Sequence, residues 1–420
     1  MRDQSPTYYC GIDIGTQAVR CIIGIQDQND SSKLSVVGHG TARNMGMRKG
    51  VISHVDDVAE AIIKAVTEAE RVSGATISAA TVNINGAHIQ GLNSRGVIAI
   101  STANKEISSA DRLRVDEAAA TIQLPPNREI IQVFSRNYRV DGQDNIKDPV
   151  GMQGVRLEVD THIVTATTPN VRTVFDALSG ARIHPNRYTL SSLAGAEATL
   201  NRQQRESGTL LLDIGAGTTG FVIIEDGEVQ HVAVIPVGGI HVTNDLAIGL
   251  KTDLEIAELV KIQHGSLPLT DIESTDQVSV EYAESEHTFD RADVSMIIES
   301  RLDELLELVE KELKRVGKNQ KLPGGVVLVG GTAHLEGIAD FTKEKLQLAA
   351  RIGSIEQVSG LIETVTDPSY AAAIGLMMLD MYLGPDSHLD LGEPNGSFFG
   401  FLEGLWPIKW GGRDDQRSIK

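Results

Sequence analysis

Cysteine is scarce in this chain. Among 420 residues there are two, Cys10 and Cys21, each inside an apolar, strand-like run. They read as small buried hydrophobes, and two thiols at this spacing are too few for a metal centre. No run of about eighteen apolar residues occurs, and the opening MRDQSPTYY has no apolar signal core. The expectation is a cytoplasmic chain that does not span a membrane. Positive charge is also short: 38 Lys and Arg stand against 57 Asp and Glu, a formal net charge of −19. Such a surface repels phosphate backbones at long range, and no basic stripe opposes it, so nucleic acid is not an expected partner. Aromatic residues make up only 4% of the chain, so any local concentration of them carries information.

What is present is α/β alternation with an apolar content of 41%, enough for two or three cores. Tyr8 to Ile14 and Val19 to Gln26 read as a hairpin, and LSVVGHGTAR (34–43) as a third strand. Val55, Val58, Ala59, Ile62, Ile63, Val66 and Ala69 recur at helical spacing, with Asp56 and Asp57 suited to the first turn; residues 77–85 return to a strand. From Gly86 to Asp160 the pattern breaks into short strand-like pieces, a helix near Ser109 to Ile122, and Leu124-Pro125-Pro126, which reads as an inserted α+β subdomain. Alternation resumes with THIVTATTP and a helix at 170–180.

A second half opens at Thr209. It carries a strand at 230–236, the pair Gly238-Gly239, helices at 241–250 and 254–263, and a polar stretch at 266–290 read as a small subdomain with edge strands. Ile298, Leu302, Leu305, Val309, Leu313 and Val316 line a long helix. Glu307/Lys311 and Glu310/Lys314 stand at i,i+4 on it, and Gly317 is its stop.

The chain is organised around LLLDIGAGTTGFVII (210–224) and its degenerate echo YCGIDIGTQAVRCII (9–23). In each, an apolar strand ends in Asp-Ile-Gly and a second strand follows a short turn. Glycine lets backbone approach a ligand closely, and the free N–H groups of such a turn form an anion-binding nest. GGVVLVGGTAHLEG (324–337) adds a buried strand running into a glycine pair, a third turn suited to a ligand.

Taken together, DIGT, DIGAGTTG and VLVGGTAHLEG resemble the two phosphate loops and the adenosine loop of the actin, heat-shock chaperone and sugar kinase superfamily. The resemblance implies an actin-like duplicated fold with ATP between two related halves, and one Asp from each loop acting on Mg²⁺ and water. Carried over residue by residue, it implies nucleotide contacts at Asp13, Gly15, Thr16, Asp213, Gly215, Gly217, Thr218, Thr219, Gly238, Gly239, Gly330, Gly331 and Thr332. Asp13 and Asp213 would serve Mg²⁺ through water. Lys261, in EIAELVKIQHG, resembles an adenosine-contacting lysine, though a solvated helix lysine accounts for it equally well.

Within that superfamily, GHGTARNMGMRKGVISHVDD, NINGAHIQGLNSRGVIAIS, NIKDPVGMQGVRLEVDTHIVTA and VIPVGGIHVTNDLAIGL are similar to the FtsA family of bacterial cell-division proteins. The likeness runs from about Tyr8 to Leu383. It implies a first-half core at 8–85, 163–203 and 368–384, interrupted by an FtsA-type α+β subdomain at 86–162 that contacts neighbours in a polymer. A second-half core at 204–238 and 323–367 would carry a small subdomain at 239–322 that binds the C-terminal peptide of FtsZ. Arg301, in IIESRLDELLEL, resembles the edge of that surface.

The C-terminus supplies physical evidence of its own. A polar linker at 385–396 leads to an amphipathic segment at 397–412 and a polar tail at 413–420. Both tryptophans, Trp406 and Trp410, and three of the eight phenylalanines, Phe398, Phe399 and Phe401, fall in that segment. As a helix it would place Phe398, Phe401, Leu402 and Leu405 on one face, with Phe399 and Trp406 beside it. It is too short to span a bilayer and suits the interface. Pro407 should end the helix. Four basic against three acidic residues from Ser397 to Lys420 leave aromatic burial as the main attraction to lipid.

The implied function is an ATP-binding, filament-forming adaptor. It would tether the FtsZ ring to the cytoplasmic face of the membrane at the division site and recruit later division proteins. The superfamily's water-activating side chain comes from a connecting helix, here TLSSLAGAEATL, where Ser191, Ser192 and Glu197 are the candidates. None matches clearly, so slow hydrolysis at most is expected. A pilus-assembly-type actin-like scaffold and a small-molecule kinase of the same superfamily are the alternatives.

Overall fold

Gly11 and Gly24 on one side, and Gly38 and Gly40 on the other, show how the first half is layered. A computed structural model describes residues 7–26, 34–101, 104–267, 276–355, 358–361 and 366–383. Strands β1 (Tyr8–Ile14), β2 (Ala18–Gln26) and β3 (Leu34–Arg43) form an antiparallel meander. A small ribbon, β4 (Met47–Arg48) and β5 (Val51–Ile52), precedes helix α1 (Val55–Ser73) and strand β6 (Ala79–Ile84). A Cβ on Gly38 or Gly40 would stand 2.5 or 2.0 Å from carbonyl oxygens of α1, so only glycine lets that helix lie so close. On the opposite face, Gly11 receives the last described helix, α10 (Ala371–Leu383), so closely that a Cβ there would stand 2.3 Å from the Ala373 carbonyl oxygen, and Gly24 faces Met377. Asp380 anchors α10, accepting from the Cys10 N–H, Thr81 and Asn186.

The insert follows β6. It comprises β7 (Gln90–Ala99), α2 (Ser109–Ala120), β8 (Arg128–Val140), β9 (Gln143–Ile146) and β10 (Arg156–Thr167), with sheet order β7-β10-β8-β9. Ser108 and Asp111 close a reciprocal cap on α2. The chain then re-enters the first half through α3 (Thr168–Gly180), β11 (His184–Leu190) and α4 (Ser191–Thr199), giving the strand order β11-β6-β1-β2-β3, with residues Val358–Gly360 at the far edge.

The second half begins after α5 (Arg202–Ser207) with β12 (Thr209–Ile214), β13 (Thr219–Glu225) and β14 (Glu228–Ile235). Helices α6 (Gly239–Leu250) and α7 (Leu254–His264), the hairpin β15 (Gln277–Tyr282) and β16 (Ser285–Asp290), and α8 (Arg291–Arg315) follow. Then come β17 (Gly325–Val329), α9 (Ile338–Leu346) and β18 (Ala350–Ile352), completing the sheet β14-β13-β12-β17-β18. The apolar stripe of α8 is buried from Val294 to Leu313, Gly317 follows it at φ +72°, and Glu310 pairs with Lys314 at 2.8 Å.

The expected domain limits need one correction. Residues 323–367 were assigned to the second half, yet β19 (Val358–Gly360) pairs in parallel with β3, so the chain has already crossed back to the first sheet. Three residues are too short for a periodic signal, and the register is set by the neighbouring strand.

Cys10 and Cys21 are buried free thiols with sulfurs 3.6 Å apart. Their contact and burial hold the Cys10 thiol well above its ordinary pKa, in the neutral form. Among the described residues no helix is long and apolar enough to cross a membrane. Phe398, Phe399, Phe401, Leu402, Leu405, Trp406 and Trp410 lie outside the described residues.

Candidate functional site

The two Asp-Ile-Gly turns fold alike. In β1–β2, Asp13 stands opposite Arg20 and Ile14 opposite Val19; in β12–β13, Asp213 stands opposite Gly220 and Ile214 opposite Thr219. Each turn closes the same way: the Gly15 N–H donates to Ala18 and the Gly215 N–H to Thr218, both at 3.0 Å. Among the described residues, Thr16, Gln17, Ala216 and Gly217 make no backbone–backbone hydrogen bond through their N–H groups, which offers two sets of donors to an anion. The turns approach one another. A Cβ on Gly217 would meet Thr16 Oγ1 at 2.7 Å, and that hydroxyl accepts from the Gly50 N–H at 3.2 Å.

Between the halves lies a cleft lined by both turns. Asp13, Gly15, Thr16, Asp213, Gly215, Gly217, Thr218, Gly330 and Gly331 all line it. Burial raises the Asp13 carboxyl to about 6, with Arg20 pulling it down. Burial and then the nearby charge of Asp13 raise Asp213 to about 7, again against Arg20. Two carboxylates held out of water beside each other are short of positive charge, which a divalent cation would supply. Gly330 adopts φ +89° with Asp213 Oδ1 only 2.6 Å from where its Cβ would be, whereas Gly331 faces open space.

Some expected residues stand back from the cleft. Thr219 is fully buried and donates to the Val237 carbonyl, because strand alternation turns its side chain away from the turn that Thr218 faces. Gly238 and Gly239 bring the start of α6 against the second loop: the Gly239 N–H donates to the Gly215 carbonyl at 2.9 Å. Thr332 likewise braces that carbonyl, at 3.2 Å. Lys261 is neither solvated nor free, since its ammonium donates to Glu258 (2.6 Å), Thr243 (2.8 Å) and the Gly239 carbonyl (3.2 Å). Arg301 is tied to Asp245 of α6 and Glu304 of its own helix.

Of the connecting-helix candidates, Ser191 alone lines the cleft. Glu197 is buried against Arg205 at 2.8 Å, and Ser192 Oγ is buried without a partner. Asn83, which the sequence reading missed, does more. Its side-chain oxygen accepts from the Ile14 N–H at 2.7 Å, and its amide nitrogen donates to Asp13 Oδ1 at 2.7 Å and Ser191 Oγ at 2.8 Å. Arg20 was also missed; it lines the cleft and lies over the Tyr370 ring at 5.2 Å. The only sequence signal for either was position: Asn83 is the next-to-last residue of the strand parallel to β1, and Arg20 stands opposite Asp13 in the hairpin.

This chain is 34% identical over 377 residues to the protein described as "Cell division protein FtsA" from Pseudomonas aeruginosa, covering 89% of each. The chain belongs to the FtsA family. A family model described as "Cell division protein FtsA" matches residues 210–375, and one described as "SHS2 domain inserted in FTSA" matches residues 86–165. Its role is therefore in cell division. Among solved structures, the "PilM-PilN type IV pilus biogenesis complex" aligns with TM-score 0.64 and 18% identity over 90% of this chain and 99% of that one. "MreB5 of Spiroplasma citri bound to ADP" aligns with TM-score 0.54 and 14% identity over 90% and 97%. These establish an actin-like fold, here carrying the FtsA insert.

Among the described residues of this FtsA chain, no group of three or more His, Cys, Asp and Glu is placed to hold a metal ion. Among the described residues, Asp13 and Asp213 are the carboxylates that line the cleft. One or two carboxylates suit Mg²⁺, which keeps its waters and completes its shell with phosphate oxygens.

Proposed function

We propose that this FtsA-family chain binds Mg-ATP in the cleft between its halves and, in that state, forms filaments that tether the FtsZ ring to the cytoplasmic face of the membrane. The carrying observation is the pair of matched turns whose carboxylates and free N–H groups converge on one cleft. Thr16, Gln17, Ala216 and Gly217 offer N–H groups to phosphates, Asp13 and Asp213 hold the magnesium waters, and Arg20 balances charge. Magnesium bound there would neutralise phosphate charge. That the fold neighbour MreB5 of Spiroplasma citri is described as bound to ADP supports a nucleotide as the ligand.

Slow turnover follows from the side chains present. Ser191 reaches the cleft, but Glu197 is committed to Arg205, so the connecting helix supplies no carboxylate base to the site. Membrane attachment rests on the aromatic segment at 397–412, one weak anchor per copy that a filament multiplies. The small subdomain built from α6, α7, β15, β16 and α8 would take the FtsZ C-terminal peptide, with Arg301 at its edge, and the filament would recruit later division proteins.

Asp213→Ala tests the cleft: Mg-ATP binding and filament formation should fall while lipid binding persists. Loss of all three together would mark unfolding, and retained Mg-ATP affinity would sink the proposal. Co-sedimentation with liposomes, full length against a truncation at Gly396, tests the anchor. Unchanged lipid binding after truncation defeats it.

A further inference from the structure

Strand β14 is an edge strand: β13 occupies one side of it, and the other would present unpaired N–H and C=O groups. Side chains of the insert occupy that other side. The Val232 N–H donates to His162 Nε2 at 3.1 Å, and the Gln230 carbonyl accepts from Arg136 at 3.1 Å. Nearer the β13–β14 turn, the Asp226 carbonyl accepts from Lys147 at 2.8 Å. Lys147 belongs to the NIKDPVGMQGVR block, which the nucleotide cleft leaves without a role.

The contact is built for this geometry. Asn93 Oδ1 accepts from His162 Nδ1 at 2.8 Å, which fixes the tautomer and turns the Nε2 lone pair toward Val232. Burial keeps the imidazole neutral, with a pKa near about 3. The His231 ring meets the His162 ring edge-on at 5.1 Å. A Cβ on Gly91 would stand 2.6 Å from both the Val232 oxygen and His162 Nε2, so glycine is required for the approach.

The insert is covalently rooted in the first half, through β6 before it and α3 after it. Among the described residues, these side chains and the packing around them hold it to the second half. We propose that this three-point clamp of His162, Arg136 and Lys147 on β14 couples the position of the insert to the opening and closing of the two halves. The inference rests on nucleotide binding in the cleft.

A body rooted in one half and hydrogen-bonded to the other lets go when the halves swing apart and is held when bound nucleotide draws them together. Hydrogen bonds weaken steeply beyond about 3.5 Å, so a shift of about 1 Å along β14 releases them. Water then satisfies the freed edge groups, which makes the release reversible. By reciprocity, whatever nucleotide does to the clamp, the clamp does to nucleotide affinity.

Hydrogen–deuterium exchange of the full chain with and without Mg-ATP tests this, read on peptides covering Gly215–Thr218 and Glu228–Ile235. Mg-ATP should slow exchange in both, about tenfold at Val232. His162→Phe, which keeps an aromatic ring but removes the acceptor, and Arg136→Ala should speed exchange in Glu228–Ile235 and weaken Mg-ATP binding by a matching factor. Lys147→Ala, at an exposed position that leaves folding intact, should act in the same direction by less. Protection of Gly215–Thr218 with no change at Glu228–Ile235 overturns the clamp while nucleotide binding stands. No response in either segment defeats the nucleotide reading and the coupling with it. Normal Mg-ATP affinity in all three variants also overturns the coupling.

Discussion

Asp13 and Asp213 occupy the same register place in two hairpins 200 residues apart, each one residue before the end of its first strand and each followed by Ile-Gly. The duplication sets two carboxylates near each other where burial holds both above the ordinary carboxylate pKa, and the charge of Asp13 adds to the rise at Asp213. A pair of this kind destabilises the empty protein and is suited to binding a cation.

Asp213→Asn should therefore stabilise the nucleotide-free chain at pH 8 while weakening Mg-ATP binding. The sign follows from linkage. A carboxyl raised from 3.8 to about 7 carries no penalty below pH 3.8, a growing one above it, and the full one past pH 7. The stability gain of the variant, on the order of 2–4 kcal/mol at pH 8, should shrink to a few tenths near pH 4. Thermal unfolding at both pH values measures it, and an equal gain at both would contradict the assignment.

Asn83→Ala removes the donor that holds Asp13 and the acceptor of the Ile14 N–H. Outer-shell partners of this kind change metal affinity roughly 10–100-fold. Magnesium titration of ATP binding should show a loss in that range, larger than the loss measured without magnesium. Equal losses in both would make Asn83 a purely structural residue.

Gly330 and Gly331 are adjacent and should respond oppositely. Gly330→Ala forces a Cβ at φ +89° into Asp213 Oδ1 and the Ile214 carbonyl, which costs more than about 1–2 kcal/mol. Gly331→Ala meets open space and should leave the melting temperature nearly unchanged. Comparable melting temperatures for the two variants would contradict the turn geometry.

Glu197→Gln leaves buried Arg205 without its carboxylate. Breaking such a pair costs about 3–5 kcal/mol, so the variant should melt early while any nucleotide turnover per folded molecule stays unchanged. Ser191→Ala should do the reverse. A selective loss of turnover in Glu197→Gln would reassign the water-positioning role.

Much of the fold was legible because its signals are local. The helical spacing of Val58, Ile62 and Ala69, the Asp-Ile-Gly turns and the stop at Gly317 each follow from short-range stereochemistry. The edge strand Val358–Gly360 was not legible, since a three-residue strand takes its register from β3. Thr218 and Thr219 read alike in sequence. Only the pleat decides that one faces the cleft and the other donates inward to Val237.

By itself the sequence determined the duplicated turns, the inserted subdomain, the acidic surface and the aromatic C-terminal segment, because each is a matter of composition or spacing along the chain. Only the tertiary structure brought Asn83 onto Asp13 and Ser191 onto Asn83, and laid His162 and Arg136 along the edge of β14. Those contacts join residues 70 to 108 positions apart. Hydrogen bonds and charges act over a few ångströms of space, so distance along the chain does not record them.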